Sequence, residues 1–142
     1  MQDPRTAQRT LLLILIPMLA TFIIQRFSLH LSPIRHLFVG GYLIHHLFMG
    51  LVIQIPAAFI LAFGYRNRFS AILAPVALGI GTAMELDEAV YLIAMEAAYI
   101  DPEKTGSFYR TPVSLWGAIV LVSISSVLLL LLFHFVSRRD KN

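Results

Sequence analysis

Residues 70–100 read SAILAPVALGIGTAMELDEAVYLIAMEAAYI, an apolar run that carries four acids and neither Lys nor Arg. A helix needs roughly 20 residues to cross a hydrocarbon core of about 30 Å, and this run exceeds that length. Three more runs, at about 10–26, 37–63 and 112–136, meet the same requirement. The chain is therefore predicted to be all-α: one polytopic membrane domain over residues 1–142, built as a bundle of four transmembrane helices at about 10–26, 37–63, 70–100 and 112–136. The first run follows Arg5 and Arg9 as a signal peptide would. It lacks a small-residue cleavage site before Gln25-Arg26, so a permanent helix is expected.

Composition supports the same solvent. Hydrophobic residues make up 58% of the chain and charged residues 13%, with a mean hydropathy of +0.77. Soluble domains average about 45–50% apolar and about 25% charged, so a soluble enzyme and a disordered chain are both excluded. The chain has no cysteine, which removes disulfides, thiolate metal sites, iron–sulfur clusters and cysteine nucleophiles. Its net charge of +3 comes from basic residues in short groups between apolar runs, with no basic face to track phosphates, so no nucleic-acid partner is expected.

Those basic groups predict orientation. Arg5, Arg9, Arg66, Arg68, Arg138, Arg139 and Lys141 fall on one side and Arg26, Arg35, Lys104 and Arg110 on the other, seven against four. A multi-pass inner-membrane protein with both termini in the cytoplasm follows. The connection from Asp101 to Arg110 is then external, and any lid belongs there. Gly40, Gly41, Gly50, Gly79, Gly81 and Gly117 are suited to close helix contact in lipid and predict tight packing of the second and third runs.

The acids Glu85, Asp87, Glu88 and Glu96 demand an explanation, because a central carboxylate costs about 2.5–3.5 kcal/mol to insert and is usually paired, protonated or functional. At about 100° per residue, Glu88 lies about 60° from Glu85, with Asp87 further round the same way. The second run supplies His45 and His46 on a face shared with Tyr42 and Met49. If that run begins near residue 37, His45 lies about 13 Å from its outer start, and Glu88 lies about 18 Å from the end of the third run, so the two meet.

Two imidazoles and two or three carboxylates at one depth match the ligand set of a divalent metal, iron, zinc or manganese, held inside a helix bundle. The expected ligands are His45, His46, Asp87 and Glu88. Glu85 is a further candidate for the metal and the expected catalytic, proton-moving acid. A plain hydrogen-bonded network between the histidines and the acids gives the same composition, as does a proton path. Glu96 is expected to pair near the interface with Arg35 or His36, and His134 lies too far in depth for a bis-His haem with His45. Ser114 and the serines 123, 125 and 126 are expected to assist helix packing.

His45-His46 with Gly50, then Gly79-x-Gly81, then Leu86-Asp87-Glu88, resembles a set of small four-helix prokaryotic integral membrane proteins of uncharacterised function. The likeness covers roughly residues 36–117 and includes Pro112-Val113-Ser114-Leu115-Trp116-Gly117. It implies that the His pair and the Asp-Glu pair belong together, and it brings no activity or cofactor. Glu85 departs from the pattern, an apolar residue being more usual there. Three functions are compatible with these residues: a metalloenzyme acting on a membrane-soluble substrate, a proton or cation transporter using the same acids, and an accessory subunit with a structural polar network. The partners expected are the lipid bilayer and either a second copy or a membrane complex.

Overall fold

The computed structural model describes residues 4–31, 37–39, 42–64, 67–97 and 111–139. Four helices carry the fold: α1 (Pro4–Leu31), α2 (His46–Phe63), α3 (Arg68–Ala97) and α4 (Pro112–Arg139). Pro4 and Pro112 open their helices, at the position where a missing N–H costs nothing. Asn67 caps α3: its Oδ1 accepts from Ser70 N at 2.8 Å while the Ser70 hydroxyl accepts from Asn67 N at 3.3 Å. Thr111 caps α4, its hydroxyl accepting from Ser114 N at 3.3 Å. All four helices are long and apolar enough to cross a membrane, and the class is all-α.

The second helix departs from the expectation of 37–63. It begins at His46, and the residues before it form a short antiparallel hairpin, β1 (Leu37–Val39) with β2 (Tyr42–Ile44), in which Leu37 faces Ile44, Phe38 faces Leu43 and Val39 faces Tyr42. Leu-Phe-Val and Tyr-Leu-Ile are rich in strand formers, and the two residues joining them are Gly40-Gly41, a favoured composition for a two-residue hairpin connection. An apolar run of this length satisfies a helix and a hairpin equally in composition. At the other end of α2, Gly64 takes φ +89°, which a side chain resists.

Helix α3 is the central element, packing against α1, α2 and α4, while α1 also packs against α4. The core is formed by Met18 and Phe22 of α1, Ala83 of α3, and Ala118 and Val122 of α4, with Leu86 and Val90 packed around it. Outward faces carry large hydrophobic residues such as Val52, Phe59, Val120 and Leu131, as lipid contact requires.

Glycines set how closely the helices approach. A Cβ on Gly50 would lie 2.8 Å from the Gly81 carbonyl oxygen, and one on Gly81 would lie 2.7 Å from the Gly50 carbonyl oxygen. The expected tight packing of the second and third runs is thus met backbone to backbone. Gly79 does the same for α1, where a Cβ would run into the Ile14 carbonyl oxygen. A Cβ on Gly117 would instead meet the methyl groups of Val90, at 2.7 Å from Cγ1 and 3.2 Å from Cγ2. Gly79→Ala is therefore expected to lower the unfolding free energy in mild detergent by about 1–3 kcal/mol. Gly117→Ala is expected to cost less, because a valine side chain yields more easily than a helix backbone, and the reverse order would show the α1–α3 contact to be loose.

Candidate functional site

The polar residues collect where α1 and α3 finish and α2 and α4 begin, the hairpin end of the bundle. Helical spacing explains Arg26: it continues the buried stripe of α1 at Met18, Phe22, Arg26, four residues apart, so a stripe that serves the core lower down delivers a guanidinium near its top. Arg26 is 6% exposed and its side chain lies over the Phe22 ring, 5.8 Å from the centroid.

Three helices meet on that guanidinium. Nε stands in direct ion-pair contact with Asp87 Oδ1. Nη1 donates to the Ser114 hydroxyl at 3.2 Å, and Nη2 donates to the Ser114 carbonyl at 3.3 Å and to the Asp87 carbonyl at 3.4 Å. Asp87 and Ser114 are both buried. Taking two charges out of water is costly, and the fixed fork of an arginine offsets it by occupying several acceptors at once.

Glu88, one residue on and about 100° round the helix, points at α2 instead. It is 1% exposed. Its Oε2 accepts from the Leu47 N–H at 2.7 Å, and its Oε1 shares a 2.5 Å hydrogen bond with His45 Nδ1. His45 is the residue preceding α2, in extended conformation, and its own side chain makes no cap to the helix. A carboxylate from another helix supplies the cap, where the partial positive charge of a helix N-terminus favours an anion. His46 stands near the same carboxylate without bonding it: its Nδ1 is 4.0 Å from Oε2, and its side chain is 53% exposed.

Glu85 lies a turn further into the bundle and is half-buried. With the Gln54 amide turned so that its nitrogen faces the acid, that nitrogen donates to Glu85 Oε2 at 2.7 Å and also to Oε1. The structure thus brings together His45, His46 and Glu88, directs Asp87 to Arg26, and gives Glu85 to Gln54. Among the described residues, no group of three or more His, Cys, Asp or Glu is arranged to hold a metal ion.

The depth argument is corrected along with the start of α2. His45 sits at the mouth of its helix and not about nine residues inside it, and it reaches Glu88 because α3 continues for nine residues beyond Glu88, to Ala97. The expected pairing of Glu96 with Arg35 or His36 and the lid at Asp101–Arg110 involve side chains or segments outside the described residues. Arg26 is a topology signal by its place at the end of an apolar run, and its four-residue spacing from Met18 and Phe22 is what marks it as buried. Ser114 assists packing as expected, through the guanidinium. No known protein family, curated protein or solved structure matches the chain.

The Arg26–Asp87 pair is open to a double-mutant test. Arg26→Ala leaves a buried carboxylate without its cation and is expected to cost about 3–5 kcal/mol of unfolding free energy in detergent. Arg26→Met with Asp87→Leu is expected to recover most of that loss, because it removes both charges. Additive single losses in the cycle would show that the contact contributes no coupling.

Proposed function

We propose that the chain is an accessory or structural membrane protein whose His/carboxylate cluster locks its helices together. One observation carries this reading: among the described residues, each of the carboxylates Glu85, Asp87 and Glu88 is committed to a different partner, Asp87 to Arg26 and through it to Ser114, Glu88 to the first turn of α2 and to His45, Glu85 to Gln54. A metal centre needs donors converging on one point, and a cation already occupies the position beside Asp87. A proton or cation route has less support, because the described acids and histidines of α2 and α3 all lie toward the hairpin end and do not continue through the membrane. The basic residues at the opposite end support both termini in the cytoplasm and residence in an inner membrane.

A second reading, a metalloenzyme acting on a membrane-soluble substrate, is favoured by the half-exposed His46 beside Glu88. In that case His45 and His46 would supply the nitrogens and Glu88 either a ligand oxygen or the orienting carboxylate behind His45. The bound iron, zinc or manganese would supply Lewis-acid or redox chemistry. Asp87 has no part in it, and Glu85 is left to hold the Gln54 amide or to move protons.

Elemental analysis of protein purified without a metal-affinity tag separates the two. The structural reading expects substoichiometric metal, His46→Ala with an unchanged melting temperature, and Glu88→Ala destabilised by about 1–3 kcal/mol through loss of the α2 cap. Near-stoichiometric iron, zinc or manganese that disappears in His46→Ala would overturn the structural reading and establish the metal centre.

A further inference from the structure

The seam between α2 and α3 holds a polar pair within the depth of the bundle. Gln54 stands at the midpoint of α2, and its amide nitrogen donates to the Glu85 carboxyl of α3. Both residues are half-buried, so part of each faces outward. Helical spacing extends that opening along both helices: Ala58 lies at i+4 from Gln54, and Thr82, Glu85 and Ala89 lie at i, i+3 and i+7. Ala58 is exposed, and Thr82 and Ala89 are half-buried. Because Gly50 and Gly81 bring the two backbones together, the two stripes form one surface.

This surface is unlike the outward face of α4, which carries large apolar side chains such as Val120 and Leu131. Small residues let another helix approach closely, and polar groups at this depth find no hydrogen-bonding partner in hydrocarbon. In either protonation state the Glu85 carboxyl, together with the Gln54 carbonyl, keeps acceptor capacity that one amide nitrogen does not fill. The Thr82 hydroxyl, one turn from Glu85, makes no hydrogen bond among the described residues. The surface thus carries a spare donor and spare acceptors, and a copy of itself supplies what each lacks. We propose that two copies of the chain pack on this face about a two-fold axis along the membrane normal, the Thr82 hydroxyl of each donating to the Gln54–Glu85 pair of the other. Such an axis keeps every residue at its own depth, so polar groups meet polar groups, and an isologous contact makes each hydrogen bond twice. The inference does not rest on the role of the cluster at His45 and Glu88.

The chain has no cysteine, so a single introduced cysteine reports contacts between copies and nothing else. The full chain is reconstituted in phosphatidylcholine–phosphatidylglycerol vesicles at high lipid-to-protein ratio and oxidised with copper phenanthroline. Ala58→Cys and Ala89→Cys are expected to form about tenfold more disulfide-linked dimer than Val120→Cys, which lies on the outward face of α4. Energy transfer between copies carrying donor and acceptor dyes, followed as lipid dilutes them, measures the dimer affinity. Thr82→Val keeps the shape and removes the hydroxyl, and is expected to weaken the dimer about fivefold through the loss of two interhelical hydrogen bonds. Ala58 is exposed, so Ala58→Phe blocks close approach without burdening the monomer and is expected to abolish energy transfer at the same dilution. Circular dichroism checks that each variant keeps its helices, and the cysteine pattern with the wild-type dilution series decides the matter alone if one does not. A wild-type chain that stays monomeric at every dilution overturns the inference and leaves the face to lipid or to a partner of another kind. Dimers that crosslink equally through Val120, or that are indifferent to Thr82→Val and Ala58→Phe, overturn it by placing the interface elsewhere.

Discussion

A carboxylate buried in a bundle surrounded by hydrocarbon needs donors or positive charge to meet it, and Asp87 and Glu88 impose that condition twice on one turn of one helix. Being about 100° apart, they cannot share a partner and must be met from different directions. Arg26 comes to Asp87 from α1, bringing Ser114 of α4 with it, and the N-terminus of α2 comes to Glu88. Two adjacent acids therefore fix the relative positions of all four helix ends. They also bear on where α2 starts, since the N–H that Glu88 holds belongs to the first turn.

Away from that end, contact is set by the absence of side chains. Gly79 lets α1 lie against α3, and Gly50 and Gly81 let α2 approach the same helix from another side. Lipid tails are as apolar as leucine, so burial of hydrophobic area gives these helices little reason to associate, and close van der Waals packing takes its place. Polar ties specify the arrangement at one end, and glycine contacts hold it along the length. Each is specific to a helix pair, which narrows the alternative packings open to so apolar a sequence.

The architecture was legible because the constraint that writes it is crude: four runs of sufficient length and hydropathy leave few options. What the sequence showed of the site was a set of groups, His45, His46, Glu85, Asp87 and Glu88, that lipid would not tolerate unexplained. Its wiring was less legible. Periodicity could place Asp87 and Glu88 on different bearings, but which helix stood on each bearing depended on tertiary packing. Arg26 escaped notice because a basic residue near the end of an apolar run normally reports topology, and only its alignment with Met18 and Phe22 distinguishes a buried guanidinium from an interfacial one. The hairpin was hidden because strand and helix share one composition when both are apolar and short.

The helices are unequal in length. At 1.5 Å per residue, the 18-residue apolar span of α2 covers about 27 Å, while the 23-residue span Arg68–Val90 of α3 covers about 35 Å. A single bilayer thickness cannot match both, so hydrophobic mismatch becomes a property of the fold itself, relieved by tilting the long helix or by thinning the membrane beside the short one. Since α2 and α3 are fastened to each other through Glu88, Gly50 and Gly81, the long helix cannot tilt alone. The thickness of the host membrane thereby acts on the whole bundle, and this chain should partition toward thinner bilayers.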